Sequence, residues 1–396
     1  MSWEAVCRRR LESMLAEAGV EINGAQPWDI QVSRPDWFSR VAWGGSLALG
    51  ESYMEGWWEC PALDQFFHRL LRAGLDQGSP GWLRRWAGAV GACLFNRQSL
   101  ARAGQVAHRH YDLGNDLFMA MLDQGMNYSC AHWEGAEDLD KAQENKLALI
   151  CQKLGLQPGM RLLDIGCGWG GLARHAAQRH GAEVLGVTIS RPQAELAAQR
   201  CAGLPVEIRL QDYRQVEGKF DRLVSVGMFE HVGYKNYRLF MQKAAACLDD
   251  EGLFLLHTIG GNTTTVTCDP WIQTYIFPNG MLPSPKRVAA AAEDLFVLED
   301  WHSFGEHYDQ TLLAWRRNFL AAWEGLASRY DQCFFRMWNY YLLSCAGAFR
   351  ARAIQLWQMV FSKRGLEGGY RRLSRPQPCG QGSLLAEVPP VCWTPR

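Results

Sequence analysis

No window of the 396-residue chain approaches the roughly 18 uninterrupted apolar residues that a membrane-spanning helix needs, so nothing in it is expected to cross a bilayer. No sign of charge predominates either: 41 Lys and Arg stand against 41 Asp and Glu. A groove that tracks a phosphate backbone normally shows a basic excess, which argues against DNA or RNA as substrate, although a local patch is compatible with a neutral total. The thirteen cysteines include no Cys-x-x-Cys pair. Cys93, Cys151, Cys201, Cys247 and Cys345 lie in helical, partly apolar surroundings and read as small buried thiols of a reducing compartment. The opening Met1-Ser2-Trp3-Glu4-Ala5 has neither a basic patch nor an apolar core of signal-peptide length, so a cytoplasmic protein is expected. Apolar residues make up 48% and charged ones 21%, as in an ordinary globular chain, and the length points to two domains.

What is present is organised around Arg161-Leu162-Leu163-Asp164-Ile165-Gly166-Cys167-Gly168-Trp169-Gly170-Gly171. A short apolar run ends in glycines and leads into a helix-like segment, Leu172 to Arg179. That is a strand, a tight loop and a helix N-terminus, where glycine lets the backbone take positive φ and approach a ligand closely. Gly166, Gly168 and Gly171 also satisfy the dinucleotide spacing G-x-G-x-x-G, which requires a ribose-binding acid about 20 positions further on. The second strand instead runs into Thr188-Ile189-Ser190 with no acid at its end. Asp164, two residues before the first glycine, would repel a pyrophosphate but suits the ammonium of an amino acid, directly or through water. The balance favours S-adenosylmethionine over NAD.

Taken in order, Val6 to Ala18 has helical periodicity, and Glu21–Gly24 with Trp28–Val32 reads as small strands around an Asn-Gly turn. The Gly- and Trp-rich stretch from Gly44 to Glu59 reads either as a compact small-domain core or as an aromatic surface for a headgroup region. Helices are expected at Leu63–Leu75 and Trp82–Leu94. The segment from His108 to Trp133 is dense in polar and ionisable side chains, as a lid or crossing segment would be. His110 and Cys130 lack the paired spacing of a zinc site, so no metal is expected. Asp138 precedes a helix with an apolar face of Leu139, Ala142, Leu147, Ile150 and Leu154. Strands at Leu162–Ile165, Val184–Val187, Val206–Leu210, Arg222–Val226 and Leu253–Thr258 then alternate with helices at 172–180, 191–201 and 236–247, a doubly wound α/β domain. Asp164, Asp212 and Glu230 stand at or just past strand ends, where such a sheet binds ligands. An insertion, two aromatic helices and the strands Phe296–Trp301 and Ile354–Phe361 follow. That aromatic material reads as core or as the wall of a channel for a long apolar substrate. The proline-rich tail from about Arg371 is expected to be disordered.

Several motifs together resemble the bacterial cyclopropane-fatty-acyl-phospholipid synthases over roughly residues 10 to 370. They are Tyr111–Asp116, Tyr128-Ser129-Cys130, Leu163–Gly171, Gly186–Ser190, Gln211–Arg214, Ser225–Gly233, Leu256–Gly260 and Gly347–Arg350. The resemblance implies a class I S-adenosylmethionine-dependent methyltransferase fold, Rossmann-like and doubly wound, with a small N-terminal α+β domain. It implies residues 1–104 for that domain, 105–370 for catalysis, with a lid at 105–135 and an acyl-chain insertion at 262–350, and 371–396 as tail. The implied reaction moves a methylene group from S-adenosylmethionine onto the cis double bond of an unsaturated phospholipid acyl chain. A bicarbonate ion would act as base, held by Cys130 and Ile259 through their backbones and by Glu230, His257 and Tyr308. Cofactor contacts would fall on Ser129, Gly166, Thr188, Gln193, Asp212 and Tyr213, to which the reading of the glycine loop itself adds Asp164, Gly168 and Gly170. A homodimer bound reversibly to the inner face of the cell membrane is implied as well. Glu230 beside a solvated His231 remains open as an ordinary helix-start acid. The rival enzymes are a lipid C-methyltransferase that stops at a methyl branch and a small-molecule methyltransferase; a non-catalytic binding module would bury the polar set at the strand ends for no gain.

Overall fold

The computed structural model describes residues 3–75 and 114–370. The expected helix Trp82–Leu94, the boundary near residue 104, residues 105–113 of the lid and the tail from 371 lie outside the described residues.

The small N-terminal unit comprises α1 (Trp3–Glu17), β1 (Gln31–Val32), α2 (Trp37–Met54), β2 (Trp58–Glu59) and α3 (Leu63–Arg72). The pair of strands expected around Asn23-Gly24 reduces to one bridge, Ile22 to Ile30. Asp29 holds that loop by accepting from the N–H groups of Glu21 and Gln26, both at 2.8 Å, which takes the backbone donors a ladder would have used. Gln31–Val32 pairs instead with Trp58–Glu59. The Gly-rich stretch becomes helix α2, interrupted at Gly45 with φ 58°. Most of its aromatic material is core, with Trp58 fully buried, while Trp43 stays 70% exposed.

Next come α4 (Asn115–Met121) and α5 (Leu139–Lys153), the latter capped by Asp138 accepting from the Lys141 N–H at 2.8 Å. The alternating region follows as β3 (Arg161–Ile165), α6 (Gly171–His180), β4 (Glu183–Thr188), α7 (Arg191–Arg200), β5 (Val206–Leu210), β6 (Phe220–Val226), α8 (Tyr237–Cys247) and β7 (Leu248–Gly261). The chain closes with α9 (Pro270–Tyr275), α10 (Pro285–Ala292), β8 (Val297–Ser303), α11 (Glu306–Leu326), α12 (Gln332–Arg350) and β9 (Ile354–Ser362). The seven strands are ordered β5-β4-β3-β6-β7-β9-β8, parallel except for β9, which runs antiparallel to both neighbours. Strand β7 extends past the expected Thr258 because β9 pairs with it from Leu253 through Gly261. Side chains alternate across the sheet as a pleat requires. Leu163, Ile165, Leu185 and Val187 pack beneath α8 and α10, whereas Leu162, Val184 and Val224 pack beneath α5 and α6. Helices on both faces make the sheet doubly wound.

Among the described residues the N-terminal unit shares its core with the rest of the chain. Trp37, Trp58 and Phe66 belong to one buried cluster with Trp271, Trp315, Trp338 and Tyr341. Close helix approach needs glycine here: a Cβ on Gly347 of α12 would come within 2.6 Å of the Asp64 carbonyl oxygen of α3. Arg350 then bridges Asp64 at 2.7 Å and Asp309 at 2.8 Å, tying α3, α11 and α12 together.

Candidate active site

Both halves of the candidate site lie at the C-terminal edge of the parallel strands. In the glycine loop, Gly166, Gly168 and Gly170 all take positive φ. The N–H groups of Gly166 and Cys167 both donate to the Val187 carbonyl, at 2.9 and 3.1 Å, which seats the loop against β4. A Cβ on Gly166 would come within 2.8 Å of Met228, but one on Gly168 would meet nothing within 4 Å. Gly168 therefore faces open space, and a methyl group there would occupy room a ligand can use. Asp164 is buried on β3, and burial raises its carboxyl to about 7 against the opposing charge of Lys146. Thr188 Oγ1 donates to Gln193 Oε1 at 3.0 Å, so these two expected cofactor residues stand together at the end of β4.

Asp212 is differently placed from a free ligand acid. Both its oxygens accept from the Arg214 guanidinium, at 2.8 and 2.6 Å. Burial pushes its carboxyl up, and the Arg214 bonds outweigh that and hold it below its ordinary value. Tyr213, beside it on a short 3-10 turn, has its ring edge on Phe240 at 5.2 Å, and burial raises its hydroxyl to about 12.

The described part of the crossing segment closes this edge. Asn115 Oδ1 accepts from the Trp169 indole at 3.0 Å, and Phe118 packs on the same ring at 4.9 Å. Asp123 accepts from the N–H groups of Gly125 and Asn127, both at 2.8 Å, and so shapes the turn into residues 127–131. Gln143 on α5 donates to the carbonyls of Asn127 and Ser129, at 3.1 and 2.9 Å. Ser129 and Cys130 are thereby held, both buried, over the strand ends.

The second half gathers Glu230, His257, Ile259, Tyr308 and Cys130. Glu230 lies on a 3-10 turn after β6, and its Oε1 accepts from the Ile259 N–H at 2.7 Å. That corrects one expectation, since the Ile259 N–H is not a spare donor for an anion, and Glu230 is anchored by this backbone group. Burial raises the Glu230 carboxyl to about 7, and its Oε2 is buried with no partner. His257 is oriented by Gln358, directly opposite on β9, whose Nε2 lies 3.2 Å from Nδ1. With the amide nitrogen as donor, Nδ1 accepts and the ring proton sits on Nε2, which is also buried and unpartnered. Burial holds this imidazole well below its usual pKa, so it is neutral at pH 7. Tyr308 stacks on Phe349 at 4.5 Å. Burial, then the neighbouring Cys130, Tyr128 and Glu230, raise its hydroxyl well above the ordinary value, so it stays protonated. The Cys130 thiol is fully buried and raised likewise, bonding the Ala131 carbonyl at 3.3 Å. A thiol kept protonated in this way is a poor nucleophile. His231 is half-buried with its Nδ1 inside, and burial lowers its imidazole to about 4; Glu230 is buried and is no exposed helix-start acid.

Sequence reasoning missed Lys146, Gln143 and Gln358. Lys146 lies on the apolar stripe of α5, four residues from both Ala142 and Ile150, and a lone cation on such a stripe is the signal that identifies it. It also missed a grouping of Cys151, His175 and His180, whose ligand atoms lie within 4.8 Å of one another where no metal was expected. Arg179 and Lys146 both bear unfavourably on a cation there, as they do on His175.

Residues 98–359 match the family model described as mycolic acid cyclopropane synthetase. The chain is 56% identical over 363 residues to the cyclopropane-fatty-acyl-phospholipid synthase of Escherichia coli K12, covering 92% of this chain and 95% of that one. It is 38% identical over 272 residues to a probable fatty acid methyltransferase of Pseudomonas putida, covering 65% of this chain and 69% of that one. Among solved structures, the cyclopropane synthase MmaA2 from Mycobacterium tuberculosis superposes with a TM-score of 0.62 at 34% identity, over 66% of this chain and 98% of that one. Coclaurine N-methyltransferase, at 23% identity, has a TM-score of 0.65 over 80% of this chain and 99% of that one and shares the fold. The glycine loop, the polar cluster at the ends of β6 and β7 and these likenesses agree: the chain belongs to the cyclopropane synthase family of S-adenosylmethionine-dependent enzymes.

Proposed function

We propose that the protein transfers a methylene group from S-adenosylmethionine to the cis double bond of unsaturated acyl chains in membrane phospholipids, forming a cyclopropane ring. The observation that carries this reading is the pair of buried, unpartnered polar atoms, Glu230 Oε2 and His257 Nε2, at the ends of adjacent strands, with Tyr308 near Glu230. A transferase that only had to align a nitrogen or oxygen nucleophile would leave such atoms uncompensated at a cost of about 1–3 kcal/mol each.

An alkene is a weak nucleophile, so its π electrons must be held in line with the sulfonium methyl group where water is excluded. The new C–C bond forms as the S–CH3 bond breaks, with its electron pair staying on sulfur. The resulting carbocation must then lose a proton from the added methyl group, and those C–H electrons close the ring. Bicarbonate, when bound, supplies the base for that proton. The donor set suits a small oxyanion: His257 Nε2–H and the Tyr308 hydroxyl would donate to it, and Glu230 Oε2 would accept the anion's own O–H when ionised or donate to the anion when protonated. Two like charges would repel, and the raised carboxyl of Glu230 limits that repulsion. Aromatic faces on the helical side, Tyr128 and Trp315 among them at 5.1 Å, suit a passing cation.

The remainder of the reading concerns the membrane. No described helix is long and apolar enough to cross one. Access to an acyl double bond in a leaflet calls for reversible binding at the membrane surface, on this reading at the inner face from the cytoplasm and by a homodimer whose N-terminal unit handles lipid. The test is turnover on unsaturated phospholipid vesicles with labelled cofactor, in rigorously carbonate-depleted buffer and after bicarbonate is added back. Gain of one CH2 unit that resists mild hydrogenation marks the ring, and a product that still takes up hydrogen marks the C-methyltransferase. Full activity without carbonate transfers the base role to Glu230 or His257.

A further inference from the structure

We propose that Lys146 is a positioning residue that turns the Ser129 hydroxyl toward the carboxylate of the cofactor's amino-acid end, opposite the ammonium subsite at Asp164. The inference rests on the reading of this edge as the S-adenosylmethionine site.

Lys146 is 1% exposed, an uncommon place for an ammonium. Its Nζ lies 3.1 Å from Ser129 Oγ and 3.4 Å from Asn127 Oδ1. An ammonium has three donors and no acceptor, so Ser129 Oγ is the acceptor in that bond and its own hydrogen points elsewhere. The backbone on either side is already occupied, because Gln143 takes the carbonyls of Asn127 and Ser129. On the sheet side Ser129 approaches Gly227, where a Cβ would stand 3.9 Å from the Ser129 Cβ. That leaves the end of β6, on the edge where Gly168 faces open space, as the side to which the proposal assigns the hydroxyl hydrogen.

The charges have the matching pattern. Asp123 and Cys130 from the segment between α4 and α5, Asp164 from β3 and Cys151 from Lys146's own helix bear on its charge, and His257 and His175 feel it in turn. Burial lowers the ammonium to about 8, which leaves it charged at neutral pH. Among the described residues Lys146 forms no direct ion pair, and Asp164 acts on it only at longer range. The edge therefore offers a carboxylate at β3 and a cation-backed hydroxyl at residue 129. An α-amino-acid zwitterion has the complementary pair of groups.

The experiment measures, by calorimetry, affinity for S-adenosylmethionine and for its decarboxylated analogue, which keeps the amine and sulfonium but lacks the carboxylate. Lys146→Met should weaken S-adenosylmethionine about tenfold or more, the scale of a lost charge-assisted hydrogen bond, and move the decarboxylated analogue less than about twofold. Ser129→Ala should give the same selective loss, and the double variant little beyond either single one. Equal weakening of both ligands by Lys146→Met would mark a merely structural role and overturn the proposal, leaving the cofactor assignment intact. If Lys146→Met does not fold, Ser129→Ala decides: an unchanged ratio between the two ligands overturns it. Wild-type protein that binds neither ligand would sink the cofactor assignment itself.

Discussion

The sheet and the aromatic helices solve different problems. In the sheet, residues 161–261 carry strand, loop and helix in regular alternation, and a position's neighbours follow from the pleat. In the helical half, α2, α3, α11 and α12 come from chain positions almost 300 residues apart and share one core of stacked and edge-on rings. The first half carries the glycine loop proposed for the cofactor, and the second provides bulk and apolar surface. The proposed chemistry sits where they meet, since Glu230 and His257 belong to the sheet and Tyr308 to α11. A functional site at such a junction depends on both halves keeping their register.

The largest expected effect comes from cutting that junction. Glu230→Gln, His257→Ala and Tyr308→Phe should each lower turnover by roughly ten- to a thousandfold, the range of positioned proton-handling groups. Cofactor affinity should change little in all three. Steady-state assays on vesicles beside calorimetry separate the two, and a matching loss of affinity would place these residues with the cofactor instead.

Two glycine substitutions set the halves against each other. Gly168→Ala should weaken S-adenosylmethionine binding more than tenfold while costing the cofactor-free protein only the strain of its left-handed φ, about 1 kcal/mol. Gly347→Ala should do the reverse: affinity is kept, but the clash with α3 destabilises the fold by about 1–3 kcal/mol. Melting curves with and without cofactor check both, and the contrast fails if Gly347→Ala costs affinity alone.

Asp164 gives a pH-dependent version of the same contrast. Its carboxyl stands at about 7 in the folded protein against an ordinary 3.8. The folded state therefore binds the extra proton between these values, and its stability falls as pH rises through that window and is level above it. Asp164→Asn should stabilise the cofactor-free protein by on the order of 2–4 kcal/mol above pH 7, an advantage that disappears near pH 4, while cofactor affinity falls. Melting temperatures across pH 4–8 test this, and a constant offset would show that Asp164 is ionised in its buried site throughout.

Cys130→Ser should have the smallest effect. Because the buried thiol is held protonated, its loss should leave substantial activity and no covalent intermediate by mass spectrometry. Abolished turnover would return Cys130 to the list of reacting groups.

Much of the sheet half was legible from residue order. The apolar runs located five parallel strands, because the central ones, covered on both faces, leave a nearly continuous apolar signature, while the exposed edge strand β5 has the bounds expected of it from the alternation of Val206, Ile208 and Leu210 with charged residues. The glycine spacing with Asp164 indicated a ligand loop, and Asp138 marked the start of α5. All of these are local: a few neighbouring residues set the backbone and announce it in their own chemistry. Pairing with distant partners decided the rest. Only the tertiary structure showed that Gln31–Val32 joins Trp58–Glu59, that β9 lengthens β7, and that the N-terminal helices share their core with α11 and α12. It also decided that Glu230 spends one oxygen on Ile259, that the Gln358 amide lies against His257 Nδ1, and that Lys146 lies under Ser129. Hydrogen bonds between residues 17 to 101 positions apart leave no periodic trace, because their strength depends on burial and on geometry that only the folded chain supplies.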